Sequence, residues 1–225
     1  VETGLGRWSQ DDFRRAMRHG VAPGGRLLYP AFPYEQYTQM RTADVDALYH
    51  YLRSLPPVAQ PAKPHALQFP YGSQWALALW RGLYFRAVPP ERADEVTAAA
   101  GMGPEAQGRY LVQAVAHCAA CHSPRNGLGA LGGGQRLEGG RMPMEGWQAP
   151  SLLDRREAGV QDWSVEAIVQ LLRTGRNDAG ATASGSMADA VFWSTQYLSA
   201  ADAQTVAVYL QRLPDVAQER ALQKG

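Results

Sequence analysis

Residues 117–122 read HCAACH, and the chain has no cysteine outside this stretch. Two cysteines separated by two residues are compatible with a disulfide, a redox dithiol, half of a zinc site or a haem-attachment site. The histidine that follows Cys121 favours the last of these, because Cys-x-x-Cys-His is the attachment sequence of c-type haem. Cys118 and Cys121 can add to the two vinyl groups of a porphyrin, and the imidazole of His122 can then reach its iron.

Two other kinds of site are weaker alternatives. A structural zinc ion needs four ligands, and His117, Cys118, Cys121 and His122 are too close together in the chain to surround one ion well. A thioredoxin-like dithiol belongs in a βαβ context, and no such pattern precedes this motif. Haem c remains the favoured interpretation.

Haem iron usually takes a sixth ligand, and methionine suits electron transfer because it raises the reduction potential. The candidates downstream of the motif are Met142, Met144 and Met187. In small cytochromes c the distal methionine lies in a loop just before the last helix. The position of Met187 resembles that arrangement, whereas Met142 and Met144 follow the histidine too soon. We therefore expect Met187 to be the ligand; the alternative is that it fills space in the core, as methionines often do.

The segment after the motif repeats the beginning of the chain. WSQDDFRRAMRHG at 8–20 matches WSVEAIVQLLRTG at 163–175 with an offset of 155, and 36–58 matches 194–216 with an offset of 158. Each copy predicts a helix, a glycine-rich loop and a second helix. The expected N-caps are Ser9, Thr42, Ser164 and Ser199, and the expected ends are Gly20, Pro56, Gly175 and Pro214.

This pattern predicts an all-α fold built from two tandem modules. Residues 1–58 form the C-terminal half of a first module. Residues 59–102 form a proline-rich linker with a short apolar helix at 75–85. Residues 103–225 form a complete haem-binding module.

Composition gives few further indications of function. The formal net charge of +1 over 225 residues does not point to a nucleic-acid partner. The chain lacks the roughly 18 consecutive apolar residues of a membrane-spanning helix. We therefore expect membrane association only through parts that are not in this chain.

Several stretches resemble the multihaem cytochrome c subunit of bacterial periplasmic and membrane-bound dehydrogenases. They are TGLGRWSQDDFRRAMRHGV, LLYPAFPYEQYT, ADVDALYHYL, GRYLVQAVAHCAACHSPRNGLGA, GWQAPSL and STQYLSAADAQTVAVYL. The resemblance implies modules similar to class I cytochromes c. Cys118 and Cys121 would form the thioethers, His122 the proximal ligand and Met187 the distal ligand.

The same resemblance assigns roles to further residues. The carbonyl of Pro150 would accept a hydrogen bond from the ring N–H of the proximal histidine and so orient it. Gly108 and Tyr209 would lie where the first and last helices cross. Arg125 and Trp147 are candidate partners of the haem propionates, with solvated or packing roles as the alternative.

The resemblance also bears on the first module. The offset of 155 places its Cys-x-x-Cys-His motif upstream of Val1, so we expect that this chain lacks the N-terminal half of module one and that a further haem belongs there. Phe32 aligns with Met187. Met40 is expected in the core, with a shifted iron ligand as the alternative, and His19 is expected at the surface.

The expected function is electron transfer. A dehydrogenase catalytic subunit of flavin, quinoprotein or molybdenum type would donate electrons, and a quinone, cytochrome or oxidase of the respiratory chain would receive them. The alternatives are a free-standing soluble carrier and a dihaem enzyme of peroxidase type. Because haem c is attached outside the cytoplasm, we expect the protein in the periplasm, free or at the periplasmic face of the inner membrane.

Overall fold

The computed structural model describes residues 4–61, 63–98, 103–131, 136–141 and 146–214, and most of these residues are helical. The structure is thus mostly helical, which is compatible with the predicted all-α class. The antiparallel strands β1 (Gly140–Arg141) and β2 (Gln148–Ala149) pair with each other. The α-helices are α1 (Gln10–His19), α2 (Tyr34–Tyr37), α3 (Thr42–Ser54), α4 (Gln74–Tyr84), α5 (Pro90–Ala98), α6 (Pro104–Tyr110), α7 (Ala119–His122), α8 (Val165–Thr174), α9 (Ser186–Trp193) and α10 (Ala200–Gln211).

The chain divides by its internal contacts into a first unit, Val1–Val96, and a second unit, Thr97–Gly225. Residues 59–96, which the sequence assigns to a linker, fall within the first unit. Among the helices in the described ranges, none combines the length and the apolar character needed to cross a bilayer.

Helix α1 shows how the sequence sets the helix ends of the first unit. Ser9 accepts a hydrogen bond from the Asp12 amide at 3.1 Å, and the Asp12 carboxylate accepts one from the Ser9 amide at 3.0 Å. This reciprocal capping box satisfies two amides that the helix itself leaves unbonded. Gly20 ends the helix in the left-handed conformation at φ 60°, and both predicted ends of α1 are confirmed.

Helix α3 corrects one predicted cap. Thr42 does not cap this helix; it is the first helical residue, and Arg41 holds the cap position. The Asp94 carboxylate accepts bonds from the Thr42 amide and the Thr42 hydroxyl, both at 2.9 Å. The capping group therefore comes from α5, which is 52 residues away in the chain and was not predicted.

Buried polar contacts tie the segment after α3 to the rest of the first unit. Arg18 is only 3% exposed, and its guanidinium donates to the carbonyl of Met40 and, at 3.2 Å, to that of Val88. The Val88 amide donates to the Thr38 hydroxyl at 2.8 Å. Met40 is 4% exposed, which agrees with the core position expected for it.

The second unit forms around α6, α8 and α10. The Ser164 hydroxyl caps α8 by accepting from the Ala167 amide at 3.1 Å, and the Ser199 hydroxyl caps α10 by accepting from the Asp202 amide at 3.0 Å. Both predicted caps are confirmed. The core of this unit is apolar and includes Val112, Ala119, Leu137, Leu152, Leu153, Val160, Ile168, Leu172, Val206, Ala207 and Leu210.

Helices α6 and α10 cross at Gly108, as the resemblance implies. A Cβ atom at this position would collide with the Thr205 carbonyl oxygen and lie 2.8 Å from Cβ of Tyr209. Only glycine lets the two backbones approach this closely. The crossing is fixed further by a hydrogen bond of 3.0 Å from the side-chain amide of Gln113 to the Tyr209 hydroxyl.

Candidate functional site

A change of helical geometry leads into the cysteine pair. After α6 the chain continues as a π-helical turn at Leu111–Val115, a feature often found at functional sites. The Cys118 amide donates to the Val112 carbonyl at 3.1 Å, and His117 takes a positive φ of 43°. The chain therefore starts a new helical turn at Cys118 and does not continue α6.

This turn places the three motif side chains close together. Cys118 caps α7, and Cys121 and His122 are its last two residues. Residues three and four apart lie on the same face of a helical turn. The two sulfurs and the imidazole consequently belong to one compact surface, as haem attachment requires.

Cys118 and Cys121 form no disulfide. Cys118 packs against the apolar core of the second unit, and burial raises the pKa of its thiol to about 12. The reactive thiols of redox dithiols instead have lowered pKa values that favour the thiolate. The environment of Cys118 thus argues against a redox dithiol.

The imidazole of His122 is held by the backbone of Pro150. Its Nδ1 lies 2.8 Å from the Pro150 carbonyl oxygen. Because a carbonyl can only accept, Nδ1 carries the proton and Nε2 presents its lone pair. Burial lowers the pKa of His122, against the opposing effect of the Pro150 hydrogen bond. The ring is therefore neutral and oriented, as a metal ligand needs.

The backbone around the motif is locked to the loop that precedes Pro150. The Gly139 amide donates to the His122 carbonyl at 2.7 Å. The Leu137 amide donates to the Ser123 hydroxyl at 3.1 Å, and the Leu137 carbonyl accepts from Leu152 at 2.9 Å. These bonds fix the position of Pro150 relative to the histidine.

Met187 lies in the first turn of α9, where its amide donates to the Ser184 carbonyl at 3.2 Å. Its side chain is partly buried and packs against the same apolar core as Cys118. Met142 and Met144, the other methionines weighed for this role, lie outside the described residues.

Arg125 and Trp147 both make contacts within the second unit. The Arg125 guanidinium donates to the carbonyls of Ala120 and Gly129, both at 2.8 Å, so it ties the loop after the motif to α7. Arg125 also lines a cavity of about 570 Å³. The Trp147 ring lies against Gly185 at the start of α9.

The donor set fits a covalently attached haem. Within the ranges that the structure describes, no group of three or more His, Cys, Asp or Glu residues is arranged to hold a metal ion. The motif offers one oriented imidazole and two sulfurs. An iron that brings four porphyrin nitrogens of its own needs no more from this motif.

Sequence reasoning missed two contacts of this site. One is the contact between Trp147 and Gly185, which no local pattern indicates. The other is at Gly140, where a Cβ atom would collide with the carbonyls of Cys121 and Ser123. The Gly139-Gly140 pair in the sequence could have indicated this close approach of two backbone segments.

Comparison with known proteins identifies relatives of the whole chain. No family model matches the chain. The chain is 40% identical over 221 residues to the cytochrome c subunit of the quinone-type alcohol dehydrogenase of Gluconacetobacter polyoxogenes, covering 95% of this chain and 46% of the relative. It is also 40% identical over 222 residues to the gluconate 2-dehydrogenase cytochrome c subunit of Pantoea cypripedii, covering 94% and 48%.

The chain spans about half the length of these two relatives. A third relative is matched over more of its length. The dihaem cytochrome c-type protein of Cereibacter sphaeroides is 35% identical over 214 residues, which cover 95% of this chain and 68% of that protein. With its attachment motif, its oriented histidine and these relatives, the chain belongs to the family of cytochrome c subunits of bacterial dehydrogenases.

Proposed function

We propose that this chain is an electron-transfer subunit that carries one c-type haem, bound through Cys118 and Cys121 with His122 as proximal ligand. The observation that carries the proposal is the 2.8 Å hydrogen bond from Nδ1 of His122 to the Pro150 carbonyl. It selects the tautomer whose Nε2 can bind iron and holds the ring in one orientation. A histidine that only filled space in the core would not be expected to follow two cysteines in this spacing.

Met187 is the proposed distal ligand. It is the second residue of α9, and backbone hydrogen bonds hold the loop before that helix. When bound, the haem supplies one-electron cycling between ferric and ferrous iron, and methionine opposite histidine raises its potential. The protein's own part is to keep both ligands in place, so that little has to move when the charge on the iron changes.

Large apolar side chains of the second unit are exposed to solvent, and a bound apolar group would cover them. Leu128 is 55% exposed and Trp147 is 53% exposed. They belong to loops that also contain Arg125 and Pro150. Exposed apolar surface of this kind commonly marks a ligand or interaction site, and a porphyrin face is a fitting occupant.

The proposed architecture is two tandem modules similar to class I cytochromes c, of which residues 103–225 form the second. The first module would carry a further haem. A partner dehydrogenase would donate electrons to this subunit, which would pass them to the respiratory chain. The family relationship supports that partner over a free-standing carrier, and haem attachment places the protein in the periplasm.

The decisive experiment is a haem count on the matured protein. Intact-mass spectrometry and the pyridine haemochrome spectrum should show haem held by two thioethers, and a peptide spanning residues 118–122 should carry it. A variant with Cys118→Ser and Cys121→Ser should lose that haem, whereas Met187→Leu should keep it. Recovery of the 118–122 peptide without haem from protein matured in the periplasm would overturn the proposal.

A further inference from the structure

The indole of Trp147 covers the start of the helix that carries Met187. A Cβ atom placed on Gly185 would lie 3.0 Å from Cδ2 and 3.1 Å from both Cε2 and Cε3 of this ring. Similar distances to three fused-ring carbons mean that the face of the ring, and not its edge, lies over Gly185. Since Trp147 is 53% exposed, it makes this contact without being a core residue.

Gly185 adopts a backbone conformation that suits glycine. Gly185 has φ 53° and ψ −138°, a combination that is costly for any residue with a side chain. It caps α9, and its carbonyl accepts from the Ala188 amide at 3.0 Å. Met187 follows two residues later. The ring therefore packs two residues before the methionine.

The segment that presents Trp147 also holds the proximal histidine. Residues Gln148 and Ala149 form β2 and pair with β1, and Pro150 then bonds to His122 through its carbonyl. The segment 147–150 thus contacts His122 through Pro150 at one end and Gly185 through Trp147 at the other. Three extended residues span about 10 Å, which limits how far these two elements can separate.

Resting on the proposed ligation by His122 and Met187, we propose that residues 147–150 form a strap that sets the spacing of the two axial ligands. Trp147 is the positioning residue for Met187. A thioether is a weak ligand that binds iron only when its loop is already in place. A histidine held by Pro150 does not depend on Trp147. Loss of the indole should consequently weaken the positioning of Met187 and leave that of His122 unchanged.

The test compares Trp147→Leu with wild type in the matured haem protein. We expect an unchanged haem count, a weaker absorption near 695 nm, which reports sulfur on ferric iron, and cyanide binding to the ferric protein about tenfold faster. Trp147→Phe should retain most of the wild-type band, because a smaller ring can still cover Gly185. Trp75→Leu is the matched control. Trp75 is 62% exposed and packs at a tilt against Phe69 in the first unit, so its loss should leave both signals unchanged.

Gly185→Ala provides a second route that leaves Trp147 in place. Its Cβ would press on the ring and its backbone would be strained, so we expect the same spectral change as in Trp147→Leu. Equal cyanide rates and equal bands in wild type, Trp147→Leu and Gly185→Ala would overturn the strap while leaving the haem assignment intact. Absence of the band in wild type would instead overturn ligation by Met187, and the strap with it.

Discussion

Phe32 and Met187 lie at matching positions at the ends of two loops that share a hydrogen-bond pattern. The Phe32 amide donates to the carbonyl of Tyr29 at 3.0 Å, and the Met187 amide donates to the carbonyl of Ser184 at 3.2 Å. Both pairs are separated by the offset of 155 that relates the two sequence copies. The first unit therefore presents a phenyl ring where the second presents a thioether.

The equivalence extends back to the end of the preceding helix. In each copy a left-handed glycine ends the helix, and its carbonyl accepts a bond of 2.8 Å from an amide eight residues later. In each copy an isolated β-bridge forms inside that loop. The matching pairs are Gly20 with Leu28 and Val21 with Leu27 in the first unit, and Gly175 with Ala183 and Arg176 with Thr182 in the second.

Of the methionines in the described residues, only Met187 should therefore serve as a thioether ligand. Met17 and Met40 are each 4% exposed and packed in the first unit. We expect Met187→Leu to keep its covalent haem, to lose the absorption near 695 nm and to bind cyanide rapidly. Met40→Leu is the control. It preserves volume, should cost less than about 1.5 kcal/mol of stability, and should leave the band unchanged. A persisting band in Met187→Leu would assign the sulfur to another methionine.

Phe32→Met should place a thioether where the first unit has a phenyl ring. In the protein carrying a haem on both modules, we expect this change to add absorption near 695 nm and to slow cyanide binding at one of the two irons. Phe32→Leu is the matched control, since it removes the ring, which packs edge-on against Tyr37 with centroids 5.5 Å apart, without adding sulfur. Identical spectra for the two variants would mean that no iron faces position 32.

Local chemistry explains which parts of this structure could be predicted. Ser9, Gly20 and Ser164 act on amides or carbonyls within their own helix turns, so the sequence indicates their roles directly. The motif at 118–122 is likewise contiguous. The roles of Pro150 and Gly108 could be anticipated only through resemblance to a family, because each acts on a distant segment.

The missed features all depend on contacts between distant residues. Thr42 looks like an N-cap by its residue type, but the Asp94 carboxylate takes that role from 52 residues away. Arg18 lies in a helix whose pattern suggests an exposed cation, yet it is buried against two carbonyls. The contact of Trp147 with Gly185 joins two loops. Such pairs are decided by packing, which periodicity and turn propensities do not encode.

The Arg14–Asp46 pair should make the first unit sensitive to acid. Arg14 Nε and Nη2 donate to the two carboxylate oxygens of Asp46 at 2.7 and 2.6 Å, joining α1 to α3. This bond lowers the pKa of Asp46 below its usual range. Because the folded pKa is the lower one, the stabilisation is present at neutral pH and is lost as the pH falls below about 4.

We expect Asp46→Asn to lower the free energy of unfolding of the first unit by about 1 kcal/mol at pH 7. The difference from wild type should shrink towards zero below about pH 3. Urea unfolding followed by hydrogen exchange in α1 and α3 measures both values. Asp11→Asn removes the other, 81% exposed carboxylate bonded to Arg14 and should leave stability unchanged. A difference between wild type and Asp46→Asn that is constant from pH 7 to pH 2 would contradict this account.

Gly108→Ala should disrupt the helix crossing on which the second unit depends. The added methyl group would meet the Thr205 carbonyl, a backbone atom that cannot turn aside. Helices α6 and α10 would have to separate. Overpacking of this kind costs about 1–3 kcal/mol, and more where the backbone is the obstacle. We expect a lower melting temperature and a lower yield of haem-loaded protein, since the π-helical turn that leads into the motif begins where α6 ends.

Gly82→Ala is the matched control for this substitution. Gly82 lies within α4, and nothing stands within 4 Å of the position a Cβ would take. Alanine favours a helix over glycine by about 1 kcal/mol, so this variant should melt at the same temperature as wild type or higher. If Gly108→Ala instead melts at the same temperature as Gly82→Ala, helices α6 and α10 can move apart without loss of stability. Their close approach would then not be what holds the second unit together.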